Sequence, residues 1–239
     1  MSTSATAMLN PATLSEIMSV PLPQETSTYM PVPHDRIVEY VSTDLVDMLP
    51  QFQLKDNTFG LSRDGKCLFG MASFRGNDGY IGPSIAYRNS YDKSISVGFA
   101  FGAQVFVCAN GMFTGDIVVA KKHTLNVWQS VKQLVQDSVH KVGESYVKML
   151  NDIDTMREKP MCDTWAWEAL GVLRGQNVLS PRVYEKALKE WHEPTYKEHK
   201  DGTSLQLYNA CTEAFKMETS PNRAMKKRIE LHDQFLSLV

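Results

Sequence analysis

Long apolar runs are missing from this chain. No stretch approaches the roughly 18 apolar residues of a membrane-spanning helix, so no membrane partner is expected. No leader of charged, apolar and small residues opens it, and a cytoplasmic location follows by elimination. Cysteine is scarce. Cys67, Cys108, Cys162 and Cys211 lie far apart, none at metal-ligand spacing, each among apolar neighbours. That argues against a disulfide-stapled scaffold and for buried free thiols in a reducing compartment. The Walker loop, the dinucleotide fingerprint, His-Glu-x-x-His and Gly-x-Ser-x-Gly are all absent, so no cofactor is expected. Of the six histidines only His192 and His199 are close together, in a polar loop without a cysteine, which reads as solvated rather than zinc-binding. No Glu occurs between Lys55 and Val142, leaving Asp92 and Lys93 as the candidates for nuclease chemistry there. Two-metal catalysis needs several carboxylates at one point, so a non-enzymatic role is expected.

What remains is an ordinary globular composition, 43% hydrophobic and 22% charged over 239 residues. The length suits one large domain, or a domain with an appended helical lobe. The net charge of −2 hides a gradient. Residues 62–123 carry seven Lys and Arg against four Asp and Glu, while the rest carries 18 against 23. A basic centre in an acidic chain allows an anionic partner without demanding one.

Residues 1–33 are rich in Ser, Thr and Pro and read as an extended N-terminal arm with one short helix at 12–18. Such an arm is expected to be disordered alone and to order against a neighbouring subunit. Asp35 is placed to cap a helix over 36–49, whose apolar positions run from Ile37 to Leu49 before Pro50. A β-block follows. Strands at 58–62 and 66–74 flank the turn Arg63-Asp64-Gly65, and Asn77-Asp78-Gly79 leads into a strand at 80–87 with Pro83 at an edge or bulge. In 94–101, Ile95, Val97, Phe99 and Phe101 share one face. Ser94, Ser96, Gly98 and Ala100 share the other, a small-residue face suited either to lie beneath a helix or to let another backbone approach closely. Residues 105–109 read as a last short strand, or a continuation past a bulge at Gly102, before an Asn110-Gly111 turn.

From Thr124, a stripe of Trp128, Val131, Val135, Val139, Val142, Tyr146, Met149 and Ile153 predicts one helix of about seven turns across the sheet. Pro160 ends it. Further helices are predicted at 164–174, 181–191, 204–217 and 222–238, with an exposed loop at 193–202. The expectation is α+β: an antiparallel β-meander crossed by one long helix, with a C-terminal helical lobe. The boundaries are an arm at 1–33, a core at 34–159 and a lobe at 160–239 packed on the core.

Two basic sites stand out. Arg88, Asn89, Tyr91 and Lys93 fall within six positions of a link between strands. Arg88 and Lys93 suit phosphates, Asn89 a base edge or backbone, and Tyr91 stacking. A solvated loop in which Asp92 caps a turn explains the same residues. Lys121, Lys122 and His123 precede the long helix, where cations oppose the helix dipole unless an anion shares the first turn. Lysines that simply point into water are the alternative. If the two sites converge at one edge of the sheet, they form a basic groove for a single strand.

These stretches carry a family resemblance. The run Arg88-Asn89-Ser90-Tyr91-Asp92-Lys93-Ser94 through Val107-Cys108-Ala109-Asn110-Gly111 resembles the signature of the phage- and plasmid-borne domain of unknown function 932. Tyr29-Met30-Pro31-Val32-Pro33-His34 and Ser204-Leu205-Gln206-Leu207-Tyr208-Asn209-Ala210-Cys211-Thr212-Glu213 fit it too. The resemblance implies a mobile-element setting and supplies no activity. A looser, topological likeness is to Rad52-type single-strand annealing proteins, from which the slightly negative charge departs. The functional expectation is a single-stranded DNA-binding or strand-annealing protein of replication or recombination, acting as a homo-oligomer. The alternative is a protein that binds and redirects a host protein.

Overall fold

Turn chemistry sets the meander. In the computed structural model, which describes residues 10–76, 81–105 and 110–238, Arg63, Asp64 and Gly65 all take left-handed φ values of 53°, 54° and 83°. They fold β2 (Leu54–Ser62) back onto β3 (Cys67–Phe74), with Ser62 opposite Cys67. Gly65 is required twice over, because a Cβ there would also sit 2.9 Å from a Val20 methyl. The antiparallel order continues through β4 (Ile81–Ser90), β5 (Val97–Val105) and β6 (Asn110–Lys121), and a two-residue β1 (Asn10–Pro11) pairs with the outer edge of β2. Spatial order equals chain order, as a meander requires.

One strand differs from the sequence expectation. Asn110-Gly111 is not a turn; it opens β6, where Asn110 faces Val105 and Gly111 faces Gln104. The register between β5 and β6 slips between Ala100 and Gly102, close to the expected bulge. The expected turn at residues 77–79 lies outside the described residues, as do positions 106–109.

Period-two alternation divides the sheet into two faces. Leu68, Phe74, Ile85, Tyr87, Val97, Phe99 and Phe101 pack against α1 (Leu14–Ser19), α2 (His34–Ser42), α3 (Asp44–Asp47) and α4 (Val127–Val139). Val131 and Val135 of α4 are fully buried there, each contributing about 1.5–3 kcal/mol. The other face is small. Its Ala86 and Ala100, with Met71, lie beneath Met225 and Ile229 of α9 (Pro221–Leu238), as the Ser/Gly/Ala alternation predicts. Part of the arm lies on the same chain, since Ile17, Tyr29 and Val32 are buried.

Two predicted helices are divided. The helix expected over 36–49 breaks at Thr43, whose hydroxyl donates to the Glu39 carbonyl at 2.8 Å, and α2 begins at His34 rather than after an Asp35 cap. The seven-turn helix is α4 followed by α5 (Val142–Glu158), interrupted at His140 and Lys141. The apolar stripe stays buried across the break, but it serves two cores. Val131 and Val135 face the sheet, while Met149 and Ile153 enter the core of the lobe.

That lobe holds α6 (Asp163–Gly175), α7 (Pro181–His192) and α8 (Ser204–Ala214) beside α9. Ser180 caps α7 by accepting from the Val183 amide, with Pro181 at the first position. Nearly every residue of α8 is buried, so it forms the centre of the lobe. The loop after α7 is not wholly exposed, because His199 is buried within it. No helix among the described residues is long and apolar enough to cross a membrane.

Candidate nucleic-acid interface

Strand register brings the two basic sites together. Arg88 near the end of β4 pairs with Gly98 at the start of β5, and Val97 pairs with Lys121 at the end of β6. The loop from Tyr91 to Ser96 and the turn from Lys122 to Thr124 therefore leave the same end of the sheet. Between them opens a cleft of about 610 Å³, lined by Arg88, Lys93, Ser94, Lys122, His123 and Tyr29 among others. None of its lining residues is acidic.

Each cation is held differently. Arg88 lies half-buried over Gly98, where an added Cβ would come within 3.2 Å of Nε. Burial draws its pKa down, yet a guanidinium remains charged at any physiological pH. Lys93 takes φ +62°, uncommon for a residue with a side chain, and its Nζ stands 4.4 Å from the centre of the Tyr29 ring. Asp92 organises that turn by accepting from the Ser94 amide at 2.9 Å and pairing with Arg63 at 3.0 Å. Burial alone would raise the Asp92 pKa, but the Ser94 and Arg63 contacts outweigh it and hold it at about 2. Lys122 is exposed at the mouth of the cleft.

Beneath the cleft lies a buried polar hub. The Asn89 amide donates from Nδ2 to the Val32 carbonyl at 2.7 Å and to His34 Nδ1 at 2.9 Å. Its Oδ1 meets His123 Nε2 at 2.8 Å. The Val32 bond fixes which way the amide points, and that fixes both imidazoles. His34 must accept at Nδ1 and donate from Nε2, which reaches the Gly65 carbonyl at 3.1 Å. His123 must donate from Nε2, leaving Nδ1 as the ring nitrogen with no hydrogen-bond partner among the described residues. Burial lowers both histidines, His34 to about 4. Tyr91 completes the hub, its ring stacked 3.8 Å from His34 and its hydroxyl accepting from the His34 amide at 2.9 Å.

The seven sequence-predicted residues thus separate. Arg88, Lys93, Lys122 and His123 line one cleft. Lys121 is exposed beside it as the last residue of β6. Asn89 and Tyr91 need correcting. Both are buried, with their polar atoms and ring face engaged inside the protein, so they position the cleft rather than stack or read a base. The helix-dipole argument for Lys121 and Lys122 also fails, because β6 carries Lys121 and α4 begins only at Val127. Tyr29 and His34 were missed. Alternation from Ile85 through Tyr87 places Asn89 on the apolar face, and that was the available signal.

A family model described as a domain of unknown function (DUF932) matches residues 21–235. No curated protein and no solved structure matches the chain.

Proposed function

Because the chain belongs to the DUF932 family, whose function is unknown, we propose its role from the cleft itself: it binds single-stranded nucleic acid through the phosphate backbone. The observation that carries this is the convergence of Arg88 and Lys93 with Lys122, which lies two strands further along the chain, on one cleft with no lining carboxylate. Like-charged side chains repel unless an anion or water separates them, and a phosphate chain supplies that anion. The basic segment 62–123 within an acidic chain supports the same reading. The proposed setting, replication or recombination of a phage or mobile element, rests on the motif resemblance alone.

The test is fluorescence anisotropy of a labelled single-stranded oligonucleotide over a salt series, with the duplex as control. Binding should weaken steeply with salt. The Lys93→Ala/Lys122→Ala variant should lose affinity and reduce the slope by about 1.4, roughly 0.7 for each phosphate contact removed from a single strand. An unchanged slope in that variant sinks the assignment of these lysines.

The proposal includes self-association, supported by an apolar face on α6. Trp165 is 56% exposed and lines a groove with Met161, Val172 and Leu238. Aromatic side chains this exposed are enriched at protein interfaces. The same face favours the second reading, docking on a host protein. Sedimentation separates the two, since Trp165→Glu should dissociate an oligomer if copies of this chain meet there.

A further inference from the structure

Resting on that reading, we infer that the cleft selects the terminal phosphate of a strand, a phosphomonoester, over the internal phosphodiesters. The first argument is charge density. A strand tracked along its length meets cations spread along a path. Here Arg88, Lys93 and Lys122 surround one space of about 610 Å³, the size of a small-ligand pocket rather than an extended channel. An internal phosphodiester carries one negative charge, whereas a phosphomonoester carries about 1.5–2 near neutral pH. Three converging cations match the second more closely than the first.

The second argument is what the cleft does not offer. Strand-tracking proteins stack bases on free aromatic faces. The Tyr29 ring already carries Lys93 on one face and leans on His123, with ring centres 5.7 Å apart. The Tyr91 ring is stacked on His34. The lining is instead rich in hydroxyls from Thr28, Ser94, Ser96 and Thr124, which suit phosphate oxygens.

The third argument is His123. Its Nε2 proton is committed to Asn89, so any added proton must enter at Nδ1. Lys122, Arg88, Lys93 and Tyr29 line the same cleft, with His34 on the far side of Asn89. Burial opposes protonation of His123, and a doubly charged phosphate held in the cleft would favour it. The arm closes this side, since the Met30 amide donates to the His123 carbonyl at 3.2 Å and the Tyr29 hydroxyl to the Tyr91 carbonyl at 3.1 Å.

Competition anisotropy tests this with the full chain. Unlabelled strands of one sequence, with hydroxyl ends or phosphorylated at one end, displace a labelled strand; inorganic phosphate and a nucleoside monophosphate are run in parallel. A phosphorylated end should compete at least about tenfold better, the worth of one charge-assisted hydrogen bond. Lys93→Ala/Lys122→Ala should erase that preference. Both lysines are exposed, so the variant should fold. His123→Gln should reduce the preference and tests the histidine separately. Equal competition by both strands overturns this inference and leaves strand binding standing. No binding by either strand removes the underlying reading as well. Inorganic phosphate competing as well as the phosphorylated strand also overturns it, because the ligand is then free phosphate.

Discussion

Replacing Asn89 by aspartate changes one atom's chemistry and almost no volume. In the native hub Nδ2 supplies both donors, to Val32 at 2.7 Å and to His34 at 2.9 Å. A carboxylate supplies none. The Val32 carbonyl loses its partner and His34 Nδ1 faces another acceptor. Each buried group left unsatisfied costs about 1–3 kcal/mol, so Asn89→Asp should destabilise the neutral-pH fold by about 2–6 kcal/mol. One relief is open. His34 can take a proton at Nδ1 and pair with the new carboxylate while Nε2 still donates to Gly65. This reverses a pH dependence. In the native protein His34 is held at about 4 against an ordinary 6.5. The unfolded chain therefore binds more protons between those values, and stability falls as pH drops through the window, by on the order of 3 kcal/mol from this residue. In the variant the folded pKa of His34 is raised above 6.5, so its contribution is present at low pH and lost as pH rises. Urea unfolding of both proteins at a series of pH values reads the difference between about pH 6 and 8, above the ordinary range of the new carboxyl, because the remaining titrating groups are common to both. A variant within about 0.5 kcal/mol of the native protein near neutrality, or one with the same sign of slope relative to it, would refute the hub.

Three further outcomes are expected. A Cβ at Gly70 would lie 2.2 Å from Cζ of Tyr87, whose hydroxyl donates to Asn57 at 2.7 Å, so Gly70→Ala should cost at least about 2 kcal/mol in chemical denaturation. A negligible change would mean that Tyr87 does not cover Gly70. Glu190 is buried, yet bonds from Lys186 and Thr195 outweigh burial and keep its pKa below the ordinary value. Its contribution is lost as pH falls below the usual carboxylate range, and Glu190→Leu should cost about 3–5 kcal/mol by leaving Lys186 and the Thr195 donors unmatched; a stabilised variant contradicts this. Cys162 is exposed, Cys67 and Cys211 are buried, and burial pushes the Cys211 thiol up to about 12. Mass-spectrometric mapping after brief alkylation of the native protein should find Cys162 modified before Cys67 and Cys211. Rapid labelling of Cys211 would contradict the packing around α8.

The meander and the lobe were legible because their signals are local. Gly-containing turns, alternating apolar residues and capped helices fall at short spacing, and helices over 163–175, 181–192 and 204–214 lie within a residue or two of expectation at their starts. What failed depended on partners distant in the chain. Asn110-Gly111 is a turn dipeptide by local preference, but pairing with Gln104 and Val105 draws it into β6. The stripe from Trp128 to Ile153 says nothing of serving two cores, so the break at His140 and Lys141 was invisible. Asn89 and Tyr91 looked like surface chemistry because polarity was weighed over position. Arg88, Lys93, Lys122 and His123 were recognisable from residue type, but their convergence follows only from strand register.

The small-residue face of the sheet has a consequence for the order of synthesis. Ala86 and Ala100 leave the ribosome long before Met225 and Ile229, the side chains of α9 that cover them. At about 5–20 residues per second, that interval is roughly 6–25 s. Through it the nascent sheet keeps one apolar face bare, while its opposite face gains α4 much earlier. A face of alanines, serines and glycines presents little adhesive area, so its smallness suits the wait as well as the final packing.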